Sequence, residues 1–273
     1  LGSNHPTNGM PAYVKQGKIE GEQPAFLGGA HKPFDPSNKD NLTPRIEVGR
    51  FKERKDLLAA FDLFDPNASA QASSFTKIGN QAYNVILGNA KEAFDLDKEP
   101  ESMREMYGKG GIGDQMLLAR RLAQFGTKFV TVHYGGWDMH GNIKKALEGR
   151  VPPLDKALAA FVQDIYQSGL SEKVLLVVTG EFGRTRLNQN AGRDHWPKVF
   201  STIIAGGGIK GGMTYGTSNA TASEPEENPV NIEDWASTIY DRLGIVSDKE
   251  LMAPGDRPIE IVDGGKVIED LII

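Results

Sequence analysis

The chain has 273 residues, enough for one large domain with a substantial core. Its 31 basic and 36 acidic side chains give a net charge of −5, and no long Lys/Arg block stands out. That argues against nucleic acid or an anionic membrane as the main partner. There is no Cys, which removes disulfides, thiolate metal sites and cysteine nucleophiles. No run approaches the roughly 20 apolar residues of a membrane-spanning helix.

Residues 1–50 are rich in Gly, Pro and Asn, with short extended pieces such as Ala12-Tyr13-Val14. They read as an irregular segment that wraps a core supplied partly by other chain. The chain opens on Leu1 with no initiator Met and no visible signal peptide, so it reads as a fragment or a processed product. Residues 51–64 are predicted helical, with Leu57, Phe61 and Phe64 on one face. Residues 71–94 are predicted helical as well, with Ile78, Ala82, Val85 and Ile86 as a shared apolar face.

From about residue 111 helices and strands alternate. Asp114 caps a helix carrying Leu118, Leu122 and Phe125, and Gly126 ends it. Lys128–His133 reads as a strand. A helix then starts near Pro153, carries Leu154, Leu158, Phe161 and Ile165, and stops at Gly169. Val174–Thr179 opens with five successive apolar residues, the pattern of a strand buried on both faces in a parallel sheet. Phe200–Ala205 is a further strand, ended by a tight turn at Gly206-Gly207-Gly208. Residues 217–231 read as an acidic surface loop, and a last helix carries Ile232, Trp235, Ile239 and Leu243. This order predicts an α/β fold with helices on both sides of a mostly parallel sheet.

Three loop segments carry the chemistry. Thr131–His140 runs from a strand through Gly135-Gly136 to Asp138 and His140, two positions apart and able to reach one ion if extended. Val178–Thr185 places Glu181 and Arg184 just after the apolar strand. Glu181 reads either as an oxygen ligand or as a salt-bridge partner of Arg184, whose forked donors suit an anion. Asn190–Pro197 joins Asp194 to His195 and adds Arg193 as a second anion clamp. Asp194 can ligate directly or orient a ligating ring. Carboxylates and imidazoles without sulfur suit Zn, Mn, Mg or Ca. Asp138, His140 and His195 are predicted to converge. His5 and His31 read as surface residues, and Trp137 and Trp196 either line a pocket or brace the loops. No Gly-x-Ser-x-Gly nucleophile elbow is present.

The segments Gly135–His140, Gly180–Thr185 and Ala191–Trp196 resemble a bacterial family designated DUF1501. Leu117–Leu122, Ala205–Gly212 and Asp241–Ile245 fit the same resemblance, which covers essentially the whole chain. The family is grouped with the alkaline phosphatase and sulfatase superfamily. The resemblance therefore implies a three-layer α/β/α sandwich, mostly parallel, forming a single domain over 1–273 that is incomplete at its N-terminus. It implies metal ligands at Asp138, His140, Glu181, Asp194 and His195, with Phe182 standing where relatives carry a histidine. It also implies an upstream nucleophile outside this chain and a periplasmic location. Two readings follow. The first is a metal-dependent hydrolase of phosphate or sulfate esters, in which Arg184 and Arg193 bind the oxyanion of a small-molecule or polymer substrate. The second is a non-catalytic binding or structural protein on a degenerate sulfatase-like scaffold.

Overall fold

The computed structural model describes residues 8–37, 90–253 and 255–273, with the isolated positions 42, 47, 49, 50, 53, 56, 57, 83 and 85. Most of the predicted helices 51–64 and 71–94 lies outside the described residues, as does His5. The chain divides into two compact units. The first is Leu1–Gly136 with Pro152–Phe161, and the second is Trp137–Val151 with Val162–Ile273.

In the first unit, strand β1 (Tyr13–Gln16) pairs in parallel with β2 (Phe129–Val132), Val14 opposite Val130. Helix α1 (Ala90–Ala93) lies within the predicted 71–94 helix, α2 (Glu101–Tyr107) has no counterpart in the sequence reading, and α3 (Gly111–Gln124) starts three residues before Asp114, which stands in its first turn and not at its cap. Met10, Val14, Ala90, Ala93 and Leu122 form the core, with Phe34, Phe94, Leu118, Phe125 and Val130 packed against it. Three charges are buried nearby. Glu99 faces Arg120 at 2.8 Å and also pairs with Arg121, all three side chains being under 10 % exposed. Burial opposes ionisation of Glu99, but hydrogen bonds from Arg120 and Arg121 outweigh it and lower its pKa.

The second unit holds the remaining strands. β3 (Leu175–Val178) pairs antiparallel with β6 (Ile203–Gly206). β4 (Gly183–Leu187) and β5 (Arg193–Trp196) form an antiparallel hairpin. β7 (Thr217–Ser218) with β8 (Pro225–Glu227), and β9 (Glu250–Ala253) with β10 (Arg257–Glu260), are two more antiparallel pairs. The expected three-layer α/β/α sandwich with a mostly parallel sheet is thus overturned. The described strands make five separate two-stranded sheets, and only β1–β2 is parallel. The apolar run at Val174–Val178 signals burial, but its side chains carry no information on partner direction. In the structure β3 meets β6 head to tail, and all four β3 residues are only half-buried.

One helix departs from expectation, and the last forms where the apolar spacing predicts it. α4 spans Ile143–Gln167, starting well before Pro153 and carrying Pro152 and Pro153 in its interior. Each proline lacks an N–H, so the carbonyls of Glu148 and Gly149 have no donor four residues on. That penalty is why a Pro-Pro pair in sequence predicts a helix start and not a helix interior. α5 (Ile232–Arg242) buries Ser237 and Thr238, while Ile232 is 69 % exposed. Thr238 Oγ1 accepts from Ile268 N at 3.0 Å, and Asp234 Oδ1 accepts from Lys266 N at 2.9 Å. The C-terminal segment needs these acceptors, so the polar side of α5 faces it. No described helix is long and apolar enough to cross a membrane.

Replacing Glu99 with Gln is expected to leave two buried guanidinium groups short of their counter-ion and to cost about 3–5 kcal/mol in urea denaturation. Because the folded-state pKa of Glu99 is lowered, its contribution is present above the ordinary glutamate range and fades as pH falls. The variant should therefore lose less stability than the parent on acidification.

Candidate metal centre

The site is built by the β4–β5 hairpin and the loop before α4, all within the second unit. Arg184 lies opposite His195 in the hairpin, and Leu187 opposite Arg193, so β4 carries one extra residue between them. Such a bulge bends the strand and re-aims its side chains. The loop is tied to the hairpin through backbone bonds from Arg193 N to Met139 O at 3.0 Å and from Ile143 N to Ala191 O at 2.9 Å. Gly192 permits this approach. A Cβ placed there would sit 2.0 Å from the His140 carbonyl carbon, closer than any side chain allows.

Three side-chain nitrogens meet on one oxygen. Asp138 Oδ1 lies 2.8 Å from His195 Nε2, 2.9 Å from His140 Nε2 and 3.0 Å from Arg184 Nη1. The ligand atoms of Asp138, His140 and His195 all fall within 4.8 Å of one another, so these three residues can together hold a metal ion. Their side chains are exposed, Asp138 at 65 % and each histidine at 48 %. Hydrogen bonds from His195 and then Arg184 hold the Asp138 carboxyl down at about 2.

Behind this group stands a second set of contacts. His140 Nδ1 lies 3.1 Å from Asp194 Oδ1. The Asp194 pKa is lowered, first by that hydrogen bond and then by one from Asn188. Asn188 Nδ2 donates to Asp194 Oδ1 and to the His140 carbonyl, both at 3.2 Å. Its Oδ1 accepts from Asn190 N and Gly192 N at 3.0 Å. Thr185 Oγ1 accepts from Asp194 N at 3.0 Å. The Phe182 ring lies 4.3 Å from the His195 ring, centroid to centroid, at 31°. Phe182 therefore walls the position where the resemblance looked for a histidine.

Of the residues singled out in sequence, Asp138, His140, Arg184, Asp194 and His195 come together. Glu181 is exposed and lies outside the three-residue group. The exposed Arg193 joins the hairpin through its backbone. Trp137 contributes its carbonyl, which accepts from Arg184 Nη2 at 3.2 Å. Trp196 donates Nε1–H to Ser223 O at 2.8 Å and so braces the hairpin. Asn188 was not singled out, although Asn188-Gln189-Asn190 is turn chemistry of the kind that places side chains on nearby backbone.

Fold and site together define a mixed α/β protein with an exposed Asp/His/His cluster. The chain belongs to the family described as protein of unknown function (DUF1501), whose model matches residues 2–272. No curated protein and no solved structure matches it. The further link to the alkaline phosphatase and sulfatase superfamily is corrected by the small, mostly antiparallel sheets. The expected hydrolase of phosphate or sulfate esters falls with that link, because its catalytic frame was a large parallel sheet.

Two outcomes are expected. In metal-free protein followed by carboxyl-carbon NMR, Asp138 should stay ionised well below the ordinary aspartate value of 3.8, and His195→Ala should raise its titration point. A Gly192→Ala variant should push the loop off the hairpin and lose the Asp194–His140 contact, seen as a changed His140 ring signal in nitrogen NMR.

Proposed function

We propose that this chain is a binding protein that holds one divalent ion at Asp138, His140 and His195. The observation that carries this reading is the convergence of one carboxylate oxygen and two imidazole nitrogens within 4.8 Å. Two nitrogens and one oxygen suit zinc, whereas calcium and magnesium favour oxygen throughout. Neighbouring donors around a tetrahedral zinc are roughly 3.3 Å apart, given bonds of about 2.0–2.1 Å. The histidines approach Asp138 Oδ1 at 2.8 and 2.9 Å, so a shift of about half an ångström makes room. Asp194 supports the reading as the group that fixes the His140 ring through Nδ1, with Nε2 left to the metal.

Three protein ligands leave a coordination position open, and the exposure of all three side chains puts it within reach of solutes. An anionic small molecule is the partner class that this position and the nearby Arg184 would admit. Glu181 and Arg193 are the remaining candidates, as an outer ligand and an outer clamp. The binding role is supported over catalysis by the exposure of the cluster, since a reaction centre draws its electrostatic strength from a water-excluded site.

Calorimetric titration of chelator-treated protein with zinc tests the proposal. One-to-one binding is expected, weakened at least roughly tenfold by Asp138→Asn or His195→Ala and about 10–100-fold by Asp194→Ala. Affinity should fall as the pH is lowered, because protons compete with the ion for the imidazoles. Zinc binding that survives both ligand substitutions would sink the assignment.

A further inference from the structure

We propose that Arg184 is a clamp for small oxyanions that a bound metal releases. The inference rests on the metal site proposed above and names what that site does with its ion. Arg184 Nη1 lies 3.0 Å from Asp138 Oδ1, the same oxygen that both histidines face. An ion entering between the histidines takes that oxygen as a ligand. The two positive charges of an ion on that oxygen repel the guanidinium beside it, so Arg184 and the metal compete for one atom and metal binding frees a guanidinium N–H.

The freed group stays where it is. Arg184 Nη2 donates to Trp137 O at 3.2 Å, and Nη1 donates to Arg193 O at 3.3 Å. The guanidinium carbon sits 5.3 Å from the centre of the Phe182 ring. None of these contacts involves Asp138. A guanidinium already fixed in place loses little freedom when it binds an anion.

Charge makes the anion site conditional on the metal. With both imidazoles neutral and no ion, Asp138 and Arg184 cancel and Asp194 leaves the site negative, which repels anions. A divalent ion adds two positive charges and reverses the sign. Because Arg184 Nη1 lies 3.0 Å from the ligand oxygen of Asp138, an anion held on the ion would come within reach of the guanidinium. A ligand with two neighbouring oxygens, such as a carboxylate, sulfate or phosphate group, can place one on the metal and one on Arg184. By linkage, the anion must raise metal affinity by the same factor that the metal raises anion affinity.

The test titrates sulfate into zinc-loaded and chelator-stripped protein at constant ionic strength, and zinc into protein with and without sulfate. Sulfate is expected to bind the zinc form at least about tenfold more tightly, with a matching gain in zinc affinity. Arg184→Gln should abolish this coupling while binding zinc at least as well as the parent, because the competitor for Asp138 is gone. Arg184→Lys keeps the charge but loses the fork, and should retain only part of the coupling. If zinc binds but sulfate affinity is indifferent to it or to Arg184→Gln, the clamp is overturned and the metal site stands. If Arg184→Gln weakens zinc, Arg184 supports the metal and does not compete with it, and the clamp is again overturned. If zinc does not bind, both ideas fall together.

Discussion

One oxygen atom, Asp138 Oδ1, lies within 3.0 Å of side-chain nitrogens from three different places: the loop before α4, strand β4 and strand β5. A carboxylate oxygen can satisfy several donors at once, and charged partners strengthen each contact. This sharing makes the loop and the hairpin one site. The same sharing holds the Asp138 carboxyl in its charged form. In exposed surroundings each contact by itself contributes little to stability. Its value lies in geometry, since three side chains are aimed at one point.

The hairpin supplies the second requirement, which is space. Its extra residue between Arg184 and Leu187 sets Arg184 across from His195. The bare backbone at Gly192 lets the His140 segment lie against it. Thr185 and Asn188 then absorb the amides of Asp194, Asn190 and Gly192. Polar backbone that would otherwise be left over near the bend is thereby used to fix the side chains of the site.

The chemistry was more legible in the sequence than the architecture. Asp138 and His140 follow Gly135-Gly136, and Asp194 and His195 follow Gly192, and that placement marks them as groups that can converge; the structure puts Asp194 and His195 on strand β5 where the sequence predicts a loop. Strand direction was not legible. The Val174–Val178 run looks the same whether its neighbour is parallel or antiparallel, and nothing in it announces a sheet of two strands. The helix at α5 was legible, but the surface it packs against was not. Apolar spacing at Ile232, Trp235, Ile239 and Leu243 marks a helix, but the demand of residues 266–268 for acceptors decided which side was covered. The start of α4 was hidden because a proline pair usually opens a helix, whereas here it lies inside one.

Asn188 has a chemical consequence of its own. Its amide nitrogen points at a carboxylate and a carbonyl, while its oxygen meets two N–H groups, so the two ends are not interchangeable. Hydrolysis of this amide to an acid, a slow form of ageing in proteins, would keep the oxygen that serves the turn. It would replace the nitrogen with a second oxygen aimed at Asp194. Two negative groups would then face each other where one donor had joined them, and the His140 ring would lose the fixed carboxylate behind it. An aged molecule could thus keep the bend of its hairpin and still lose the aim of its histidine, a change of one mass unit that a fold-sensitive assay would pass over.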